Sequence, residues 1–314
     1  MKISVIIPTF NAEKTIIKCL NALKNQSYKN FETIVVDGKS TDKTVEVVEN
    51  FDFNARLKRW KPSGPGEKRN VGAKMARGEI LFFLDSDLAL SKDALGELVK
   101  VFKKVGADGI TGTPLTPKDS GMLDYIVGLD YEYRFEKMGE GFVDVAATTM
   151  FALKKKAFFE TGGFNVKFKR ATGEDWDFSA RMRKKGFKIF HTHKVKGYHY
   201  TAERLVPYLR KQYYHAKYRV EHAMEHKQTT DQYAKPYIIL QSFLWLLLIF
   251  SILSPALFIL IFFITILWTM PETMKLYKRT DDNRILLLIP LSTIRSIYWL
   301  AGAIVGFIEL LFGG

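Results

Sequence analysis

Two carboxylates one residue apart close the wholly apolar run Ile80–Leu84 in Gly78-Glu79-Ile80-Leu81-Phe82-Phe83-Leu84-Asp85-Ser86-Asp87. Such a run reads as a strand buried on both faces, the habit of a central parallel strand. Ligands in open α/β sheets sit outside the carboxyl ends of the strands, where Asp85 and Asp87 fall. Unpaired carboxylates at the edge of an apolar core are costly, so the pair asks for a cation. Hard oxygen donors suit Mg²⁺ or Mn²⁺, ions that commonly hold substrate phosphates as well. Alone the spacing is commonplace: Asp85 could cap a turn and Asp87 could be solvated. A second acidic pair, Glu174-Asp175, opens a helical pattern behind Gly173. Its competing reading is a capping box, with Thr172 as N-cap and Asp175 three residues on. Arg69, in Gly66-Glu67-Lys68-Arg69-Asn70-Val71-Gly72, can make charge-assisted bonds to a diphosphate or pair on a helix surface.

The elements that carry these groups alternate. Residues 3–7 form an apolar β-rich run stopped by Pro8, and Ala12–Asn25 follows with apolar residues at helical spacing. Phe31–Val36 is a second strand ending at Asp37, after which Thr41 or Asp42 caps a helix to Phe51. Arg56–Trp60 reads as a third strand, and a helix over Glu67–Ala76 leads into the strand before Asp85. A further helix runs from Ser91 to Val105, and Gly109–Thr113 is another strand. This alternation gives βαβ units on a mainly parallel sheet, an α/β fold. Beyond it come a helix over Gly121–Lys137, strand sequence in Val143–Leu153, a helix over Glu174–Lys185, and short strands at Phe187–His191 and Val195–Tyr200.

Composition bounds the rest. The 314 residues are 47% hydrophobic and carry a net charge of +14, a surplus suited to nucleic acid, an anionic membrane face or a phosphorylated substrate. No helix-turn-helix, zinc or single-strand-binding pattern supports nucleic acid. The single cysteine, Cys19, excludes an internal disulfide and fits a reducing compartment. Met1–Pro8 reads as a first strand and not as a signal peptide. From Glu203 to His226 lies a basic, tyrosine-rich helical stretch that suits a solvated surface or a membrane interface. Pro236–Pro271 contains no charged residue, enough for two spans, about 236–253 and 255–271, or for one kinked helix. Ile285–Leu311 is a third apolar segment, spanning or interfacial, interrupted by Arg295 and Glu309. The basic residues of Glu272–Arg284 and of the leading domain place both on the cytoplasmic side of a cell membrane. The expected organisation is therefore a domain at 1–202, an interfacial segment at 203–235 and a membrane domain at 236–314. Arg295 either pairs with Glu309 or a neighbouring subunit, or holds a lipid phosphate.

Five motifs in order resemble glycosyltransferase family 2, the inverting, metal-dependent nucleotide-sugar transferases, over roughly Lys2–Tyr200. They are Ser4-Val5-Ile6-Ile7-Pro8-Thr9-Phe10-Asn11, Val35-Val36-Asp37-Gly38-Lys39-Ser40-Thr41-Asp42, the Arg69 segment, Asp85-Ser86-Asp87 and Gly173-Glu174-Asp175. Lys39 is a departure, inserted between glycine and serine. The resemblance implies a Rossmann-like GT-A fold with C-terminal transmembrane helices. It implies that Pro8, Thr9 and Asn11 shape a loop against base and ribose, that Asp37 accepts from the base, and that Arg69, ahead of Lys68, meets the diphosphate. Asp85 and Asp87 would ligate Mg²⁺ or Mn²⁺ beside Ser86, with His199 either a further ligand or a packed strand histidine. Asp175 would be the catalytic base, with Glu174 and Trp176 lining the acceptor site. Processive synthases of the family carry Gln-x-x-Arg-Trp where this chain has Gln212-Tyr213-Tyr214-His215-Ala216, which argues against a long-polymer channel. Gln212 and Arg295 remain acceptor-side candidates.

The expectation is a membrane-bound transferase moving a sugar from a nucleotide-diphosphate sugar to a lipid-linked acceptor. Polyprenyl phosphate is the preferred acceptor, ahead of a glycolipid hydroxyl. A phosphate is already ionised, so Asp175 would then only orient it. The rivals are a processive synthase and a membrane-tethered nucleotide-sugar binder without catalysis. Membrane helices carrying Arg295 also allow association between copies.

Overall fold

The computed structural model describes residues 1–201, 204–226 and 254–312. It divides into two compact units, one of Met1–Lys118 with Arg134–Thr201, the other of Asp119–Tyr133 with the described part of 202–314.

In the first unit the expected alternation is present. The elements are β1 (Ile3–Thr9), α1 (Ile16–Lys24), β2 (Phe31–Asp37), α2 (Thr44–Asn50), β3 (Ala55–Arg59), α3 (Pro65–Met75) and β4 (Ile80–Leu84). Strands β3-β2-β1-β4 are neighbours in that order and all parallel. Because β1 and β4 are central, both faces of each are covered. Ile3, Val5, Ile7, Phe82 and Leu84 pack into one core with α1. Ile6, Leu81 and Phe83 pack into the other. That is why these segments are apolar without alternation.

The rest of the sheet is mixed, and three of its features were not read from the sequence. A three-residue strand, β5 (Leu88–Leu90), follows Asp87 directly and leads to α4 (Ala94–Val105). After β6 (Gly109–Leu115), α5 (Met122–Met138) and β7 (Gly141–Val143) comes β8 (Met150–Lys154), antiparallel between β4 and β6. Short helix α6 (Lys155–Thr161) precedes α7 (Glu174–Lys184). Finally, the two short strands expected after α7 are one strand, β9 (Ile189–His199), with a register shift against β6 between Thr111 and Thr113. β9 runs parallel to β6 and antiparallel to β5 and β7.

The second unit is helical: α8 (Leu205–His226), α9 (Pro255–Thr280), a 3₁₀ turn at Asn283–Leu287, and α10 (Leu288–Phe312), with the Met122–Tyr133 part of α5. The segment expected at 236–253 lies outside the described residues. α9 continues through Pro271, where the sequence reading ended the span. Asn283–Phe312 is long and apolar enough to cross a membrane. Arg295 does not meet Glu309, as one reading had it. It is buried in an ion pair with Asp130 at 3.0 Å and bonds Ser292, whereas Glu309 pairs with Lys217. A charge in an apolar helix is tolerable when its partner is equally buried, and 165 residues separate these two. Gln212 likewise has a partner, accepting from the Trp299 indole at 3.1 Å.

Gly302 and Gly306, four apart on α10, face the α8 backbone at Tyr213 and Lys217, and a Cβ at either would overlap it. Small residues at this spacing let helix backbones approach closely. Gly302→Val is expected to destabilise the protein by about 1–3 kcal/mol by overpacking. The half-exposed Ile304→Val should leave the melting midpoint in detergent unchanged.

Candidate active site

The carboxyl ends of β1, β2 and β4 converge where the strand order turns outward from β1, the usual crevice of an open α/β sheet. α3 brings basic residues to it, and its sequence explains how. Gly72 lies against Ile6, where a Cβ would overlap the isoleucine side chain, so the helix sits hard on the sheet. Asn70 clamps the Phe164 backbone in both directions, each bond 2.8 Å. Phe164 in turn packs on Phe178 of α7, ring centroids 4.5 Å apart. Phe164 therefore ties α3 to α7.

Between them lies Arg69, 2% exposed. One guanidinium nitrogen donates to Asp85 Oδ1 at 2.8 Å and the other to Glu174 Oε1 at 2.9 Å. The side chain favoured for a diphosphate is thus engaged by two carboxylates from different motifs. Lys68, the residue placed second, is also buried, and its Nζ donates to Thr9 O at 3.1 Å, close against Gly38. Burial pushes its pKa down, against the raising fields of Asp37 and Asp85. Lys68 is thus a lysine buried on a neutral carbonyl at the end of β1. Only its neighbour's known motif drew attention, since its own burial has no local signature.

The loops after β1 and β2 are held by their own polar groups. Asn11, at φ 51°, accepts from Thr41 N at 2.8 Å and donates its own N–H to Ser40 Oγ. Asp37 accepts from the Ser40 N–H at 3.0 Å and from its hydroxyl, the turn-capping arrangement. The inserted Lys39 is absorbed by a left-handed conformation, φ 65°. Pro8 lies within β1 opposite Val36, and the Thr9 hydroxyl is buried with no hydrogen-bond partner.

β5 brings the Asp85-Ser86-Asp87 turn against the end of β9. Leu88 pairs with His199, and Tyr200 N–H donates to Asp87 O at 2.7 Å. His199 Nε2 consequently lies 3.3 Å from Asp87 Oδ1. Two ligands at about 2.1 Å and right angles on one ion stand about 3 Å apart, so this pair fits a shared divalent cation. Asp85 has one oxygen on Arg69, and among the described residues no three His, Cys, Asp or Glu side chains are gathered into a ready metal cage. Ser86 lies half-buried between the two aspartates. His191 and His193 both lie 3.1 Å from Thr113 Oγ1, and burial pushes His191 down to about 4. Cys19 is buried beneath the turn and pushed up by burial, an inert thiol.

α7 starts on Gly173, at φ 93°, which is the N-cap. The capping box centred on Thr172 is absent: its hydroxyl is buried and makes no hydrogen bond. Glu174 is buried on Arg69, and Trp176 is 6% exposed. Asp175 takes the Trp176 N–H on Oδ1 at 2.9 Å. Burial first, and then the Glu174 charge, push Asp175 up to about 8. Gln212 and Arg295 belong to the helical unit, with the partners described above.

Arg69→Met should leave Glu174 buried without a counter-charge and destabilise the domain by about 3–5 kcal/mol in a denaturant melt. Arg69→Lys should recover less than half of that, because one ammonium lacks the planar fork that spans two carboxylates.

The sequence profile of glycosyl transferase family 2 matches residues 4–171, and that of the N-terminal domain of galactosyltransferase matches residues 142–204. A poly(ribitol-phosphate) beta-N-acetylglucosaminyltransferase, TarS of Staphylococcus aureus, is 44% identical over 101 residues, 30% of this chain and 18% of that protein. A Campylobacter jejuni GalNAc(5)-diNAcBac-PP-undecaprenol beta-1,3-glucosyltransferase is 31% identical over 173 residues, 53% of this chain and 56% of its own length. The fold matches that of a mannosyltransferase from Pyrobaculum calidifontis, solved with GDP-Man and Mn²⁺, at TM-score 0.62 and 18% identity, covering 99% of this chain and 87% of that one. Strand order, the carboxylate motifs at the strand ends and these matches agree: the chain belongs to glycosyl transferase family 2.

Proposed function

We propose that this chain transfers a sugar from a nucleotide-diphosphate sugar to a lipid-linked acceptor at the cytoplasmic face of a membrane, inverting the anomeric centre. The observation that carries this reading is the buried Arg69 bridge. It holds the first aspartate of the Asp-Ser-Asp turn and the acidic pair of α7 in one site, so donor and acceptor sides are built as a unit.

Each residue's part follows from its place. The turn from Pro8 to Asn11, with Asp37 and Lys68 beside it, receives the nucleotide. Asp87 and His199, with Asp85, would hold Mg²⁺ or Mn²⁺. When bound, that ion neutralises charge developing on the leaving nucleoside diphosphate. Asp175, beside Gly173, faces the acceptor.

A lipid-linked acceptor is supported by the apolar stretch Asn283–Phe312 and by exposed Leu257, Ile259, Leu260 and Phe263 on α9, a surface that water alone would not cover. The Campylobacter relative's undecaprenol-linked substrate points the same way. Lys275, Lys278, Arg279 and Arg284 between the apolar segments support the cytoplasmic placement. Membrane lipids are then partners too.

In a screen of nucleotide sugars with polyprenyl lipids, the full chain should release nucleoside diphosphate, and Asp87→Asn should lower release at least 100-fold without shifting the melting midpoint. Chelation should abolish turnover and added Mn²⁺ or Mg²⁺ should restore it. No donor consumed under any condition would refute the assignment. Asp175 works only when ionised, and its surroundings raise its pKa. The rate limb governed by it should therefore rise with pH, at values above the ordinary carboxylate range, and be missing in Asp175→Asn.

A further inference from the structure

A second cleft lies at the opposite end of the sheet from the candidate active site, where the parallel strands begin, and encloses about 330 Å³. The 7-residue strand β1 spans the interval, about 20 Å from Lys2 beside the cleft to the Thr9 turn. Five cations line the cleft, Lys2, Lys24, Lys29, Arg56 and Arg77, against one carboxylate, Glu32. That carboxylate is fully used. Its Oε1 accepts from the Ser4 hydroxyl at 2.7 Å and the Arg77 N–H at 2.6 Å, and its Oε2 from Arg56 at 3.1 Å. Lys24 has Asp52 at 2.8 Å. The side chains of Lys2, Lys29 and Arg77 enter no ion pair among the described residues. Thr33 also lines the cleft; it is 1% exposed, and its buried hydroxyl has no hydrogen-bond partner.

These groups converge from the starts of β1, β2 and β3, the end of α1 and the turn into β4, so their fields add inside one concavity. Like charges gathered without partners repel, and an anion bound among them relieves that repulsion. A phosphate monoester brings a charge of about −2 at pH 7 and three acceptor oxygens. One guanidinium and two ammoniums are charge-assisted donors for those oxygens, and the Thr33 hydroxyl is a neutral one. Phe31 and Phe53, ring centroids 6.2 Å apart, supply an apolar wall for the carbon face of a sugar. A bare inorganic ion would leave that wall and most of the volume unused.

We propose that this cleft is a second ligand site of the first unit, taking a sugar phosphate whose dianionic phosphate lies among Lys2, Lys29 and Arg77. The proposal does not rest on the glycosyl transfer proposed above, and the site is separate from the nucleotide turn.

Isothermal titration calorimetry tests it on the full chain in detergent, at low salt with a chelator present, using glucose 1-phosphate, glucose and inorganic phosphate as probes. One equivalent of glucose 1-phosphate should bind, about tenfold or more tighter than either other probe. Arg77→Ala and Lys2→Ala should each weaken it about tenfold or more, the loss of one charge-assisted bond. Asp87→Asn should bind as the unaltered chain does; loss of binding there would put the ligand in the nucleotide site and overturn the proposal. Lys103 is exposed on α4 and outside the cleft. Lys103→Ala should change nothing, and a loss equal to that in Arg77→Ala would mean a diffuse field and no site. Thr33→Val removes an unsatisfied hydroxyl, so it should weaken binding without lowering the melting midpoint. Unchanged affinity in Thr33→Val counts against the site. Inorganic phosphate bound as tightly as glucose 1-phosphate, an adventitious ion only, overturns the proposal, as does no binding of either.

Discussion

One buried arginine organises the catalytic domain. Arg69 is reached from α3, yet its partners come from the end of β4 and the start of α7, the latter 105 residues away in sequence. Removing three charges from water is expensive, and the arrangement holds only because the guanidinium fork meets both carboxylates at hydrogen-bonding distance. The packing around it serves that requirement. Gly72 lets α3 lie close on Ile6, Asn70 pins the Phe164 backbone, and Phe164 packs against Phe178 of α7. Three positions of one motif, Arg69, Asn70 and Gly72, thus have separate physical tasks, and only the first is electrostatic.

The two adjacent basic residues of α3 divide their work. A guanidinium whose two terminal nitrogens are both held by carboxylates serves as a strut, whereas the neighbouring ammonium rests on the Thr9 carbonyl. Lys68 and Arg69 are adjacent in sequence but point to different neighbours, the first to the β1 turn and the second to the acidic motifs. Their difference in chemistry matches: a compact point charge at a carbonyl, a planar fork between carboxylates.

The parallel half of the fold was legible because its signal is strong and local. Strands β1, β2 and β4 are apolar runs closed by proline or aspartate, and the helices between them have clear spacing. The mixed half was not, since β5 is three residues long and β8 is antiparallel for reasons set by its neighbours across the sheet. β9 looked like two strands because a register shift interrupts its pattern. Motif order singled out Asp85, Asp87 and Asp175, and the competing capping box at Thr172 gives way to a glycine in a left-handed conformation at the cap. Partners far away in sequence were illegible in principle. Nothing near Arg295 announces Asp130, and nothing near Arg69 announces Glu174.

The pairing of β5 with β9 has a consequence for how the site comes into being. Asp87 and His199 stand side by side only because the last strand of the domain docks beside the three residues that follow the Asp-Ser-Asp turn. A contact so distant along the chain forms late, after loop closure over most of the domain. A chain interrupted before β9 would keep both aspartates, Arg69 and even the acidic pair of α7, and would still lack the histidine. The Asp87–His199 juxtaposition is in this sense a report on completed folding of the domain.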